Sequence, residues 1–264
     1  MDVRNTLIQM GVQSLVFVAV GAVVYGLTKI SSFRYRSWPF ASARNSSLWG
    51  IAAVLIGWIL VSVLFLIVAG SQDMRQEPVS NHEYTVNDVV SQAILAFIAF
   101  GPVVLVMRRR KESWASAGVS THNLGRSFMV GVLLIVLFTV VNMALGERSF
   151  GEMSVELKVD HFWALLQYAI VGFGEEFAFR GYLQTRLVAW LGRWQGWVVT
   201  SVLMALAHVV QRITMIGLLP LEAVLSSVSL IPISLLLGYM MLRTENIVAP
   251  GLFHTFANWV STLG

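Results

Sequence analysis

The sequence is a succession of long apolar runs separated by short polar stretches. A transmembrane helix needs about 20 consecutive, predominantly apolar residues. The apolar runs are residues 6–28, 48–70, 88–107, 127–146, 162–189, 196–218, 220–242 and 247–262. This pattern predicts an all-α, polytopic membrane protein with about eight transmembrane helices. No A-x-A cleavage site follows the first run, so we expect a retained anchor and not a signal peptide.

The composition favours the same class of protein. Of the 264 residues, 56% are hydrophobic and 12% are charged, whereas a soluble domain carries about 25% charged residues. The chain has no cysteine, which excludes disulfide bonds and thiolate chemistry. The formal net charge of +4 is modest, and its distribution along the chain is more informative than its sum.

Basic and acidic residues alternate between successive loops. The basic residues around the first and third loops are Lys29, Arg34, Arg36, Arg44, Arg108, Arg109, Arg110, Lys111 and Arg126. The acidic residues around the second and fourth loops are Asp73, Glu77, Glu83, Asp88, Glu147, Glu152, Glu156 and Asp160. The positive-inside rule places loops one and three in the cytoplasm, and eight spans then leave both termini outside. We interpret the basic run 108–111 as a topology signal, and we expect no nucleic-acid partner.

Ionisable residues within the apolar runs are confined to the C-terminal half of the chain. A charged side chain at the centre of a bilayer costs roughly 3 kcal/mol or more, and such residues are functional candidates. They are Glu175, Glu176, Arg180, His208 and His254, with Glu222 near the edge of a run. This asymmetry predicts one membrane domain over residues 1–264, with a helical scaffold half (1–147) and a catalytic half (162–262).

Helical spacing separates the two adjacent glutamates. Glu176 and Arg180 are four residues apart and share a helix face, so they can form a structural ion pair. Glu175 points roughly 140° away from Arg180, at about 100° per residue, and it has no partner on its own helix. That isolation makes Glu175 the candidate general base. Gly172 and Gly174, just before it, permit close approach of a neighbouring helix.

Three motifs in the last hundred residues carry a family resemblance. They are E-E-x-x-x-R (Glu175, Glu176, Arg180), F-x-x-x-H with Met204 in the phenylalanine position (His208), and H-x-x-x-N (His254, Asn258). Each motif lies in a separate apolar run, and their order resembles that of the CAAX protease and bacteriocin-processing family of intramembrane endopeptidases. The first half of the chain resembles this family only in being helical and apolar.

The resemblance implies hydrolysis of a peptide bond within the membrane. Glu175 would deprotonate a water molecule, His208 would help to hold it, and His254 and Asn258 would donate hydrogen bonds to the tetrahedral oxyanion. Glu176 and Arg180 would be structural. The implied partners are the lipid bilayer and a membrane-associated protein or peptide substrate, prenylated or leader-bearing. We expect a multi-pass protein of the cell (inner) membrane whose active site faces the cytoplasmic side.

Several alternatives remain open at this stage. Glu175, His208 and His254 could instead bind a catalytic zinc ion, although the H-E-x-x-H signature is absent, and we favour a metal-free site. The histidines could also be simple helix–helix hydrogen-bonding partners. Two further functions are a non-proteolytic bacteriocin-immunity or scaffold protein on the same fold, and a proton-coupled transporter. The transporter is disfavoured because the two halves show no repeat.

Overall fold

The computed structural model describes residues 3–30, 33, 40–69, 82–144 and 158–263, and all regular secondary structure in these ranges is helical. The α-helices are α1 (Val3–Ile30), α2 (Ala43–Ala69), α3 (Val86–Arg109), α4 (Leu124–Ala144), α5 (Val159–Glu175), α6 (Thr185–Leu191), α7 (Arg193–Thr214), α8 (Pro220–Val228), α9 (Ile231–Thr244) and α10 (Val248–Trp259). A π-helical segment, Glu176–Gln184, joins α5 to α6, and 3₁₀ turns occupy Trp114–Ala117 and Val260–Thr262. The predicted all-α class is confirmed over these residues.

Within the described residues, fewer stretches meet the length and hydropathy of a membrane span than the eight that the sequence pattern predicts. Five stretches of the described chain are long and apolar enough to cross a bilayer: Ala43–Ile67, Val86–Arg109, Leu124–Val141, Arg193–Thr214 and Pro220–Thr244. The predicted runs 6–28, 162–189 and 247–262 do not qualify. In the first, Ser14–Ile30 is a shorter apolar helix. The second is divided by the charged π-helical segment, and α10 has only 12 residues. Several apolar helices therefore support an integral membrane protein, while the predicted count of eight is not confirmed.

The exposed surface of the helices is apolar and part of the interior is charged, the reverse of a water-soluble protein. Ile30 and Phe97 are 83% and 80% exposed, whereas Arg180 and Arg186 are fully buried. Large apolar side chains on the outer surface suit contact with lipid. Many of the loop charges behind the orientation argument lie outside the described residues: Arg34, Arg36, Asp73, Glu77, Glu147, Glu152 and Glu156.

The helix that carries Glu175 packs closely against two neighbours, as its glycines predict. A Cβ atom on Gly172 would lie 2.7 Å from Thr255 Oγ1 on α10, and one on Gly174 would lie 2.2 Å from Phe100 Cε2 on α3. Only a residue without a side chain fits at these contacts. The prediction that both glycines allow close helix approach is confirmed, and this packing holds α5 between α3 and α10.

A buried polar cluster ties α6 to the loop after α3. The fully buried Arg186 donates hydrogen bonds from Nη2 to Glu112 Oε2 (3.0 Å) and Ser116 Oγ (2.7 Å), and its guanidinium lies 3.8 Å from the centre of the Tyr182 ring. Glu112 also accepts a hydrogen bond from Ser46 Oγ at 2.7 Å, at the start of α2. Burial raises the pKa of Glu112, but the Ser46 hydroxyl and the Arg186 guanidinium outweigh it and hold that pKa below its usual value.

We expect this cluster to make the stability of the protein sensitive to acid. Because the pKa of Glu112 is lowered in the folded state, its stabilising contribution is present above the ordinary value of 4.5 and is lost as the pH falls through the folded value. Glu112→Gln should lower the free energy of unfolding by about 1–3 kcal/mol at pH 7 and should flatten the loss of stability below pH 4.5. Thermal denaturation in detergent across a pH series measures both effects.

The matched control for this prediction is Glu83→Gln, which neutralises an exposed carboxylate before α3. It should leave both the melting temperature at pH 7 and the acid dependence unchanged. A Glu112→Gln variant whose melting temperature follows that of the parent at every pH would contradict the role given to the cluster.

Candidate active site

The candidate residues surround the start of the π-helical segment. Its hydrogen bonds run from residue i to i+5, a rare pattern that recurs at functional sites. Glu175, the last residue of α5, is 9% exposed, and Glu176, the first residue of the π segment, is completely buried. The sequence contains no marker for this change of helix type, and the spacing of 100° per residue does not apply beyond Glu176.

Glu175 faces two histidines that come from different helices. Its Oε1 atom lies 3.7 Å from Nε2 of His208 on α7, and its Oε2 atom lies 4.0 Å from Nε2 of His254 on α10. Both separations exceed the length of a direct hydrogen bond. One carboxylate is thus in close electrostatic contact with two imidazole rings, each through a different oxygen. The structure brings these three predicted catalytic residues together.

The ring of His208 is oriented by the backbone of its own helix. Its Nδ1 atom lies 2.8 Å from the carbonyl oxygen of Met204, one turn earlier. Because a carbonyl oxygen only accepts, Nδ1 carries the proton of this hydrogen bond. Nε2 is therefore the atom directed at Glu175, and in the neutral ring it is a hydrogen-bond acceptor.

His254 lies between the two glutamates. Its Nδ1 atom donates to Glu176 Oε1 at 2.9 Å, while its Nε2 atom faces Glu175. The same Oε1 atom of Glu176 lies 2.9 Å from Arg180 Nη1, and Arg180 Nη2 donates to Ser234 Oγ on α9 at 3.1 Å. Glu176 and Arg180 are therefore within ion-pair distance, and Glu176 additionally contacts His254. The sequence could not show this second contact, because it joins residues on separate helices.

Asn258 is not part of this cluster. It follows His254 by one turn on α10 and is partly buried. Among the residues that the structure describes, no hydrogen bond or ion pair links the Asn258 side chain to Glu175, His208 or His254, and its carbonyl oxygen accepts from Ser261 Oγ at 2.6 Å. Its predicted role as an oxyanion donor stays a prediction.

A cavity of about 120 Å³ adjoins Glu175. At about 30 Å³ for each water molecule, this volume suits roughly four waters. Its lining includes Trp58 and Ser62 of α2, Gln92 and Ala96 of α3, and Gln211 of α7. These positions lie in the second part of α2, the first part of α3 and the end of α7, so the cavity lies on the side of the second loop. The charge rule assigns this side to the non-cytoplasmic face, so the cytoplasmic orientation of the site stays a prediction, which labelling from each face can test.

Residues 158–260 match a family model described as Type II CAAX prenyl endopeptidase Rce1-like. This part of the chain, which we call the Rce1-like region, is therefore similar to that family. The match confirms the resemblance seen in the three motifs, and the matched range contains Glu175, Glu176, Arg180, His208, His254 and Asn258. No curated protein and no solved structure matches the chain.

The alternative function of Glu175, His208 and His254 is to bind a zinc ion. In the part of the chain that the structure describes, no group of three or more His, Asp or Glu side chains is arranged to hold a metal ion. Nε2 of His208 and Nε2 of His254 both face Glu175, while their Nδ1 atoms lie at hydrogen-bond distance from the Met204 carbonyl oxygen and the Glu176 carboxylate. Metal-free chemistry stays a prediction.

Outside the Rce1-like region, α2 and α3 supply residues next to the site that sequence reasoning did not identify. The ring of Trp58 lies 5.2 Å from that of Phe179 and 6.3 Å from that of His208. Gln92 is visible in the sequence only as one of several amides in apolar runs. Nothing in the spacing of either residue indicates that it faces Glu175, since that depends on how α2 and α3 pack against α5.

We expect a thiol placed in the cavity to react with small aqueous reagents. Ala96 lines the cavity and its neighbour Phe97 is 80% exposed on the outer surface, so Ala96→Cys and Phe97→Cys form a matched pair in a cysteine-free chain. A membrane-impermeant maleimide applied to vesicles of known orientation should label only Ala96→Cys, and only from the non-cytoplasmic face. Labelling of Ala96→Cys from the cytoplasmic face alone would instead support the cytoplasmic opening that the sequence predicts. Equal labelling of both variants would contradict the cavity.

Proposed function

We propose that this protein is an integral-membrane endopeptidase that hydrolyses a peptide bond of a membrane-associated protein, with Glu175 as the general base. The observation that supports it best is the convergence of Glu175, His208 and His254 from three helices beside a small cavity. The Rce1-like family, named for prenyl endopeptidases, supports the same class of reaction.

In the proposed reaction, a water molecule lies between Glu175 and His208. Glu175 removes one proton while Nε2 of His208 accepts a hydrogen bond from the other, and the water oxygen attacks the carbonyl carbon of the scissile bond. The tetrahedral oxyanion receives a hydrogen bond from His254. The carbon–nitrogen bond then breaks as Glu175 passes its proton to the leaving amine. Mass and charge balance with water as the sole co-reactant.

The hydrogen bonds of His254 set a condition on its role. Nδ1 already donates to Glu176, so His254 must be protonated on both nitrogens if Nε2 is to donate to the oxyanion. Glu176 is then a positioning residue, because it fixes the ring by accepting the hydrogen bond from Nδ1–H. Asn258 is the proposed second donor, and Arg180 holds Glu176 in place. Removing one oxyanion donor typically costs about 100- to 1000-fold in rate.

The proposed substrate is a protein held at the bilayer by a prenyl group or by an apolar leader. The test uses purified protein in liposomes with two fluorogenic peptides of identical sequence, one prenylated near its carboxyl end and one not, together with a leader-bearing peptide. We expect cleavage of the prenylated or the leader-bearing peptide, with no loss of rate in the presence of a zinc chelator. Failure to cleave any of them, by protein shown to be folded, would favour the immunity or scaffold alternative. Loss of rate in chelator with recovery on added zinc would overturn the metal-free mechanism.

A further inference from the structure

A second, larger cavity lies away from the active site. It is an apolar groove of about 610 Å³ between α1, α7 and α9, within the range of roughly 300–1,000 Å³ that is typical of ligand pockets. Trp197 and Tyr239 line it, with Gly21 and Tyr25 of α1 on the other side, and it shares no lining residue with the cavity beside Glu175. Trp197 precedes His208 on α7 by about 16 Å of helix axis, at about 1.5 Å per residue.

The groove is open to the hydrocarbon region of the bilayer along α1. Val18, which lines it, is 71% exposed and Tyr25 is 48% exposed. The lining is almost entirely apolar, so the part of a ligand that lies in it must be a hydrocarbon chain. The walls are rigid at one side, because Trp197 Nε1 donates to the carbonyl oxygen of Leu235 at 2.9 Å and its ring lies 6.0 Å from that of Tyr239.

Three cations surround one end of the groove. The Lys29 ammonium lies 5.8 Å, and the Arg243 guanidinium 5.1 Å, from the centre of the Tyr25 ring. Arg243 Nε also donates to Thr28 Oγ1 at 2.8 Å, and Arg193 Nη2 donates to the carbonyl oxygen of Leu242 at 3.4 Å. The last turns of α1 and α9 and the first turn of α7 thus place positive charge where the apolar groove ends.

The position of these cations fits the headgroup level of the membrane. They lie at the ends of α1, α7 and α9 that adjoin the basic loops, which the charge rule places on the cytoplasmic side. That leaflet carries the anionic lipids, and basic pockets between transmembrane helices on this side bind anionic headgroups. Trp194, next to Arg193, is 60% exposed, as expected for an aromatic residue at the interface.

We propose that this groove binds one anionic phospholipid, with an acyl chain along α1 and the phosphate against Lys29, Arg193 and Arg243. Charge complementarity decides between this ligand and a neutral hydrocarbon, because a prenyl group offers nothing for three cations to contact. A bound lipid would fill the space between α1 and the α7–α9 pair. It would therefore stabilise the packing of α1 against α7 and α9 of the Rce1-like region without contacting Glu175.

Native mass spectrometry of the purified protein, with dioleoyl phosphatidylglycerol and dioleoyl phosphatidylcholine as probes, tests this proposal. A Cβ atom on Gly21 meets nothing within 4 Å, and neither does one on Gly11 of the same helix, which does not line the groove. Gly21→Leu should therefore add a side chain to the groove with no clash at its Cβ atom, and Gly11→Leu is its matched control. We expect one retained phosphatidylglycerol in the parent and in Gly11→Leu, and at least a tenfold loss in Gly21→Leu.

Charge variants distinguish the contribution of the headgroup to lipid binding from that of the acyl chain. Lys29→Gln and Arg243→Gln should each weaken the retention of phosphatidylglycerol roughly fivefold, the attraction of about one basic residue at an anionic surface, and should leave phosphatidylcholine unaffected. Equal retention of the two lipids by the parent, or unchanged retention by Gly21→Leu, would overturn the proposal. Displacement of phosphatidylglycerol by a prenylated peptide would assign the groove to substrate instead. Glu175→Gln should retain the lipid like the parent, so the result is independent of proteolysis.

Discussion

Replacing Glu175 with glutamine should abolish proteolysis while leaving a folded protein in the membrane. The amide has nearly the same size but cannot accept a proton from water, and general base catalysis contributes about 100- to 10,000-fold to a rate. Glu175 approaches two imidazoles without a direct hydrogen bond to either, so no hydrogen bond from these rings is lost with its charge. Initial cleavage rates in liposomes, together with thermal denaturation in detergent, measure activity and folding separately.

The control for this experiment is Glu222→Gln, which neutralises a partly exposed carboxylate in the first turn of α8. It should cleave at the parent rate. Glu175→Asp, which keeps the carboxylate but shortens its reach, should retain more activity than Glu175→Gln. A Glu175→Gln variant that cleaves within a few fold of the parent rate would exclude Glu175 as the base.

The sequence was sufficient to find the residues that meet in the site, because ionisable groups are rare within apolar runs. In a chain that is 56% hydrophobic, an acid or a histidine inside an apolar run stands out without any structural information. The pairing of Glu176 with Arg180 also follows from local spacing alone. Each of these inferences needs only the sequence of a single helix, and for that reason each could be made before the fold was known.

Features that depend on hydrogen-bond register or on packing between helices could not be predicted. Hydropathy does not distinguish an α-helix from a π-helix, so residues 162–189 looked like one uninterrupted span when they contain the segment Glu176–Gln184. The cavity depends on how α2 and α3 pack against α5, and depths estimated along single helices contain no information about that packing. The contact between Glu176 and His254 likewise joins two helices that are distant in sequence.

The role of Glu176 leads to the prediction with the largest effect on stability. Glu176 and Arg180 are both fully buried, and Glu176 contacts both Arg180 and His254. Glu176→Met leaves the Arg180 guanidinium uncompensated, and Arg180→Met leaves the carboxylate uncompensated. Breaking a buried pair by removing one partner costs roughly 3–5 kcal/mol. Each single variant should therefore show a much lower melting temperature in detergent.

The double variant Glu176→Met/Arg180→Met should recover most of this stability, because replacing a buried ion pair with apolar residues of similar volume is often close to neutral. Additive damage in the double variant would show that the two side chains are not coupled. Stability alone, however, does not separate a structural ion pair from a residue that also positions His254.

Cleavage rates distinguish a structural ion pair from a residue that also positions His254. Methionine cannot accept the hydrogen bond from Nδ1 of His254, so the double methionine variant should be stable yet slow, by roughly 10- to 100-fold. Losses of this size follow removal of the hydrogen-bond partners that orient metal-binding histidines. Glu176→Gln/Arg180→Met retains a carbonyl oxygen that can accept this bond, and it should regain part of the rate at similar stability. If both double variants cleave equally fast, Glu176 only compensates the charge of Arg180, and the ring of His254 is oriented by other contacts.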